Sequence, residues 1–302
     1  MSLVSIVLPC YNHEDYIVET IQSVIEQDYE NIELIIIDDG STDNTYLKAC
    51  EMFDLCKKRF LRFELRTREN KGLCETLNEG IEWCKGEFYS AIASDDVLMV
   101  NKTKLQVCYL NENRSVDGVF GGVFLIDSSG KTISTKYGKP GVYSFEEIFL
   151  VEHSFNAPTQ MIRLEAIRRV GLLPKGLFIE DWYMWLKLLS RGKLAEIEEI
   201  LAKYRIHGNN SSKNIDKLIA SRLQIINMFS EHPLKSRALA SSILSNAMDI
   251  QYLDRFHSLR LFLKALNLNF RLVFSRRCSR YLLKSLLPKS LLSFVNKKYN
   301  EY

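Results

Sequence analysis

Three pairs of adjacent acids are the residues in this chain best suited to chemistry: Asp38-Asp39, Asp95-Asp96 and Glu180-Asp181. A single acid at a strand or helix end is ordinarily a cap. Three pairs demand more, because neighbouring carboxylates out of water repel strongly unless a cation or a hydrogen-bond donor joins them. Oxygen-only ligands favour Mg²⁺ or Mn²⁺ over Zn²⁺. A hard cation held by one or two carboxylates ordinarily shares a phosphate ligand. The pairs therefore predict metal-assisted chemistry on a phosphorylated or nucleotide substrate.

The elements around the pairs give them a common edge. LVSIVL (3–8), closed by Pro9, reads as a buried strand, and Ile17, Ile21, Val24 and Ile25 mark a helix over 14–27. IELIIID (32–38) is the next strand, and Gly40-Ser41-Thr42-Asp43 turns and caps a second helix. FLRFELR (60–66), a helix over 72–84 and EFYSAIAS (87–94) continue the alternation. This β-α-β-α-β-α-β order predicts a doubly wound sheet, with ligands at the carboxyl ends of its strands. The pairs 38/39 and 95/96 both fall at that edge.

Beyond residue 97 the alternation loosens. A helix over 102–111, a hairpin of 119–127 with 131–135, and helices over 163–170 and 181–191 are expected. AEIEEILAKYRIH is a last strand, and the polar run from Gly208 to Ser212 marks a boundary. The expected organisation is 1–210, in halves 1–97 and 98–210, followed by an all-helical 211–302.

Several classes are excluded. The 302 residues are 46% hydrophobic and 25% charged, a globular composition. The seven cysteines include no C-x-x-C pair, which argues against a disulfide framework or a zinc site. The first strand turns through Pro9-Cys10-Tyr11-Asn12 without the glycines of a dinucleotide-binding loop. Gly130-Lys131-Thr132 ends like a phosphate loop, but the required earlier glycine is Leu125. No G-x-S-x-G or H-E-x-x-H occurs. MSLVSIVLP has no basic leader region, and no 18-residue window lacks charge, so neither a signal peptide nor a membrane span is expected.

Residues 4–12 (VSIVLPCYN), 35–43 (IIIDDGSTD), 70–72 (NKG), 78–80 (NEG), 86–96 (GEFYSAIASDD) and 179–186 (IEDWYMWL) resemble, in order and spacing, the motifs of family 2 glycosyltransferases. The resemblance covers residues 1–210, about two thirds of the chain. It implies the GT-A fold: an α/β, mixed, mostly parallel doubly wound sheet flanked by helices. It also implies transfer of a sugar from a nucleotide-sugar with inversion at the anomeric carbon. By that resemblance Pro9, Tyr11 and Asn12 pack around base and ribose, Asp39 accepts from the base N3–H, and Asp38 is structural. Asn70, Lys71 and Gly72 lie near ribose and diphosphate. Asp95 contacts ribose and Asp96 holds Mg²⁺ or Mn²⁺ on the diphosphate. Ser94 stands where many relatives have Asp, which leaves the metal fewer protein ligands. Asp181 matches the catalytic base. Glu180 is base, acceptor ligand or helix cap. Trp182 is a candidate to stack on an acceptor sugar, and Trp185 is core. His207 resembles a late histidine near diphosphate or metal. Asn156-Ala157-Pro158-Thr159, with His153 nearby, resembles an acceptor-side segment. UDP-hexose and dTDP-deoxyhexose such as rhamnose are both compatible donors.

The net charge of +3 conceals an asymmetry: residues 255–302 sum to +10 and residues 1–254 to −7. Basic residues interleave with Leu and Phe throughout that tail. Basic amphipathic helices read as membrane-surface elements, with packing on the acidic body or an oligomer interface as the alternatives. No nucleic-acid module is visible. Membrane contact fits an acceptor that is a lipid-linked surface glycan, met by a cytoplasmic enzyme peripheral to the inner face of the membrane. The rival classes are a non-catalytic glycosyltransferase-like binding subunit and a nucleotidyltransferase. The acids at 39, 96 and 181 speak against the first. The lack of a glycine-rich basic loop at Pro9–Asn12 speaks against the second.

Overall fold

The computed structural model describes residues 1–152, 155–208, 210 and 214–287. Expectations that rest on His153, on Asn209, Ser211 and Ser212, and on residues 288–302 of the basic tail lie outside the described residues. The chain divides into two units: Met1–Ser144 with Ser154–Arg205, and Phe145–His153 with Ile206–Tyr302.

The elements in chain order are β1 (Val4–Cys10), α1 (Ile17–Ile25), β2 (Ile32–Asp38), α2 (Thr45–Glu51), α3 (Phe53–Arg59), β3 (Arg62–Thr67), α4 (Leu73–Trp83), β4 (Phe88–Ala91), β5 (Val97–Leu98), α5 (Lys102–Glu112), β6 (Gly118–Ile126), β7 (Thr132–Lys136), β8 (Gly141–Tyr143), α6 (Phe145–Phe149), β9 (Met161–Arg163), α7 (Leu164–Val170), α8 (Glu180–Leu189) and β10 (Leu194–Arg205). The strands form one sheet in the order β3-β2-β1-β4-β9-β6-β10-β5, with β7 on β6 and β8 on β10. β1 to β4 run parallel. β9 is antiparallel to both β4 and β6, so β6 and its parallel partner β10 run with β1. The sheet is therefore mixed and mostly parallel.

All seven residues of β2 are buried, as a strand covered by helices on both faces requires. Val4, Ile6 and Leu8 of β1 share a core with Ile17, Ile21 and Val24 of α1. On the other face α4 crosses β1 at Gly80, where an added Cβ would lie 2.4 Å from Val7 Cγ1. The NEG motif thus ends in a glycine because helix and strand leave no room there. Glu33, inside the apolar-looking β2, is 1% exposed. It accepts from Ser5 Oγ at 2.6 Å, Lys85 N at 2.6 Å and Arg62 Nη1 at 3.1 Å, which ties β2 to β1, β3 and the α4–β4 loop.

Two details depart from the sequence reading. β4 ends at Ala91, not at residue 94, because Ile92–Asp96 leaves the sheet in a turn closed by Asp96 N–H to Ala93 O at 3.2 Å. The short strands β5, β8 and β9 were not foreseen; runs of two or three residues carry no period to read.

The second unit contains α6, α9 (Ile215–Met228), α10 (Lys235–Ile250), α11 (Arg255–Leu268) and α12 (Arg276–Ser285). Its core gathers Leu244, Ala247, Phe262, Ala265, Cys278 and Tyr281. Tyr281 stacks on Phe262 at 4.3 Å, and its hydroxyl meets Ser258 Oγ at 2.9 Å. Asp254 caps α11 and Ser275 caps α12. Among the described residues this unit has no strand, and none of the described helices is long and apolar enough to cross a membrane.

Candidate active site

The strand order reverses direction at β1, with β2 on one side and β4 on the other. A crevice opens at the carboxyl ends of strands at such a point, and the loops after β1, β2 and β4 meet there. Asn12 adopts a left-handed φ of 53°. Its Oδ1 accepts from Thr42 N at 2.8 Å and its N–H donates to Ser41 Oγ at 3.0 Å, which ties the β1 loop to the β2 loop. Tyr11 is exposed at the rim.

Asp38 and Asp39 divide their work. Asp38 is buried and accepts from Thr67 Oγ1 at 2.8 Å and Ser41 N at 3.3 Å, contacts that hold the loop. Asp39 accepts from the backbone N–H groups of Lys71 and Gly72, both at 2.9 Å, and pairs with the Arg68 guanidinium. Lys71 therefore meets Asp39 through its backbone while its side chain is exposed. Gly40, at φ +72°, has Asn70 N 2.8 Å from where a Cβ would sit, so only glycine lets the 70–72 loop close on Asp39.

The Ser94-Asp95-Asp96 turn is clamped from below. Thr20 Oγ1 of α1 lies 2.9 Å from Ser94 O and 2.8 Å from Asp96 O, so its one hydroxyl proton is shared between the two carbonyls. Arg205, at the end of β10 and 1% exposed, donates from N to Asp96 Oδ1 at 2.9 Å and from Nε to Asp95 O at 2.8 Å. Its Nη2 pairs with Glu19 Oε2 at 2.5 Å. His13 Nδ1 lies 2.8 Å from Ser94 Oγ, and its Nε2 lies 3.9 Å from Asp95 Oδ2. Burial, then the Asp95 charge, pushes the Asp96 carboxyl well above the usual carboxylate range. A carboxyl raised by burial and by a neighbouring acid suits a divalent cation, which would relieve both causes. The donor set, carboxylate oxygens with an imidazole alongside, fits Mg²⁺ or Mn²⁺. His207 is buried in the second unit, two residues past Arg205, with its N–H donated to Asn210 Oδ1 at 2.5 Å.

The third pair opens α8, where the helix dipole favours acids. Asp181 Oδ1 accepts from Trp182 N at 2.6 Å. Burial and then the Asp181 charge raise Glu180 to about 8. Burial also raises Asp181, with the nearby Lys136 charge pulling it partly back. Glu180, Asp181, Asp96 and Pro9 line one cavity of about 140 Å³, walled by Leu77, Ile81, Tyr89, Met184 and Gln160. Ala157 and Pro158 of the expected acceptor-side segment line it too. Trp182 is buried, and the cavity takes Glu180, Asp181 and Met184 from α8 instead. Trp185 packs edge-on to Phe120 and Phe155.

The structure thus brings Pro9, Asp96, Glu180 and Asp181 to one cavity and sets Asp39 at the loop beside it. Sequence reasoning missed Arg205, His13, Arg68 and Lys136. Arg205 lies in the same YRIH stretch as His207, but a lone basic residue in a strand gives no sign of burial. The same lining thus gathers Asp96, a carboxyl suited to a cation, with the raised carboxyls of Glu180 and Asp181, which are suited to accept a proton.

The profile of Glycosyl transferase family 2 matches residues 5–171. An uncharacterized glycosyltransferase of Rickettsia felis is 32% identical over 221 residues, 70% of this chain and 36% of its own length. The chain therefore spans about a third of that relative. The Escherichia coli UDP-Glc:alpha-D-GlcNAc-diphosphoundecaprenol beta-1,3-glucosyltransferase WfgD is 28% identical over 235 residues, 77% of this chain and 88% of that protein. Staphylococcus aureus TarS 1–349 in complex with UDP-GlcNAc superposes with a TM-score of 0.61 at 18% identity, covering 99% of this chain and 88% of that 1–349 chain. The Pyrobaculum calidifontis mannosyltransferase PcManGT, in complex with GDP-Man and Mn²⁺, gives a TM-score of 0.61 at 13% identity, with the same coverage. These likenesses identify the fold as GT-A. With the profile spanning more than half of its residues, the chain belongs to glycosyl transferase family 2.

Proposed function

We propose that this glycosyltransferase moves a hexose or deoxyhexose from a UDP- or dTDP-sugar to a hydroxyl of a growing lipid-linked surface glycan, with inversion. The observation that carries the reading is the cavity whose lining includes Asp96 together with Glu180 and Asp181. The E. coli relative named for a diphosphoundecaprenol-linked acceptor, and TarS bound to UDP-GlcNAc, support the acceptor and donor classes.

In this mechanism Asp181 takes the proton of the acceptor hydroxyl as its oxygen attacks the anomeric carbon. The bond from that carbon to the diphosphate oxygen breaks, and its electron pair leaves with the nucleoside diphosphate. One such displacement inverts the centre. The Trp182 N–H fixes Asp181 Oδ1 and leaves Oδ2 for the proton. Leu77, Ile81 and Met184 keep water from competing with the acceptor. Asp96, with Asp95 beside it, would hold Mg²⁺ or Mn²⁺, which when bound neutralises charge on the diphosphate. Asp39 and the Asn12 loop position the base and ribose. A lipid-linked acceptor places the enzyme at the inner face of the cytoplasmic membrane.

The test is Asp181→Asn. Donor binding is expected to stay near wild type while transfer falls by about three orders of magnitude or more. Turnover within tenfold of wild type would refute the base. A thermal-shift panel of nucleotide-sugars with and without Mn²⁺ identifies the donor, and binding without any transfer would favour a non-catalytic subunit.

A further inference from the structure

The helical unit has a second amphipathic face that its own core does not use. On α11 Ser258, Phe262 and Ala265 point inward. Helical geometry sets Phe256, Leu259 and Leu263 together on another side, where they are exposed, Phe256 by 73%. Arg260 and Lys264 follow around the same helix. α12 repeats the arrangement. Cys278 and Tyr281 are buried, while Leu282, Leu283 and the next residue, Leu286, are exposed beside Arg276, Arg280 and Lys284. In the turn that joins the two helices, Phe270 is exposed and Phe274 is 84% exposed. From Arg255 to Leu287 there are eight Lys or Arg and no Asp or Glu.

Large apolar side chains at this density on a surface need a partner, and the charges select one. A second copy joined through the same face would set its cations against themselves. An anionic bilayer takes both components: the phenyl and leucyl groups enter the headgroup boundary and the cations meet lipid phosphates. We propose that the α11–α12 face docks on an anionic lipid bilayer. The proposal uses the reading that the acceptor is lipid-linked, since docking would bring the enzyme to it, but vesicle binding is measured without any transfer.

The experiment uses the full chain and sedimentation with vesicles of phosphatidylcholine alone or mixed with phosphatidylglycerol. Wild type is expected to bind the mixed vesicles, less as salt rises, and to ignore the neutral ones. Arg260→Gln/Lys264→Gln/Lys284→Gln should weaken binding about fivefold per cation, roughly a hundredfold together. Phe256→Ser/Leu263→Ser/Phe274→Ser should abolish retention with the cations intact. Five of the six positions are exposed and Lys284 is half-buried, and none belongs to the core of the unit, so both variants should keep the wild-type melting temperature and donor-dependent shift. Failure of wild type to bind mixed vesicles, equal binding to neutral ones, or wild-type retention by both variants overturns the proposal. So does a dimer, seen by sedimentation velocity, that the apolar variant dissociates. Loss of vesicle binding with transfer intact on a soluble acceptor, or the reverse in Asp181→Asn, separates this surface from the active-site reading.

Discussion

Replacing Glu180 by Gln should stabilise the protein, and by an amount that depends on pH. Burial and the Asp181 charge hold the Glu180 carboxyl at about 8, against an ordinary value of 4.5. Below the ordinary value the side chain is neutral in both folded and unfolded chains and costs nothing. As pH rises, the unfolded chain ionises first and gains stability that the folded chain lacks until Glu180 also ionises. Wild type therefore loses stability between the two values, and the loss is complete above about 8. The full span corresponds to about 5 kcal/mol at 1.36 kcal/mol per pH unit. Glu180 is only half-buried and solvent screens it, so we expect on the order of 2 kcal/mol. For a unit of this size that is a melting-temperature gain of roughly 4–8 °C. The assay is the difference in melting temperature between Glu180→Gln and wild type from pH 4 to 9. It should start near zero, grow through neutrality and level off above pH 8. A flat difference, or a wild type that is the more stable at pH 9, refutes the electrostatic account.

The same ionisation should shape turnover. A second negative charge beside Asp181 repels an anionic donor, so kcat/KM is expected to fall above about pH 8, and Glu180→Gln should remove that alkaline limb; a limb that persists in the variant assigns it elsewhere. Arg205→Lys keeps the charge but loses the fork that holds both Asp95 O and the Glu19 carboxylate. Its Mn²⁺-dependent donor affinity, measured by calorimetry, should fall about tenfold, a loss of about 1.4 kcal/mol; unchanged affinity would reduce Arg205 to a packing residue. Gly80→Ala places a Cβ 2.4 Å from Val7 Cγ1 and should cost about 1–3 kcal/mol in urea unfolding. A change below about 0.5 kcal/mol would show that α4 moves freely on β1.

Much of the first half of the site is legible in the sequence because it depends on local rules. A fully apolar strand such as β2 must be covered on both faces, and the acids that follow it must fall at its carboxyl end. The turn residues Gly40 and Asn12 have left-handed backbones that their types allow. Other features are silent locally. Glu33 reads as a polar interruption of β2, yet it is a buried acceptor for four donors contributed by other segments. Lys102 reads as an exposed helix start, yet it is fully buried, with Nζ on Ser90 Oγ at 2.9 Å and burial alone lowering it to about 7.

The sequence by itself determined the alternation of the first four strands with their helices, the strand edge on which Asp39 and Asp96 fall, and the basic amphipathic pattern of the last helices. Periodicity, turn chemistry and charge act over a few residues, so one chain shows them. Only the tertiary structure decided that Asp181 shares a cavity with Asp96, 85 residues earlier. It also decided that Arg205 clamps the Ser94-Asp95-Asp96 turn, that Trp182 is buried, and that burial beside Asp181 raises the Glu180 carboxyl. Each of these depends on the water excluded and the charges gathered when distant segments meet. Burial and Coulomb energies are properties of that meeting and not of the residues apart.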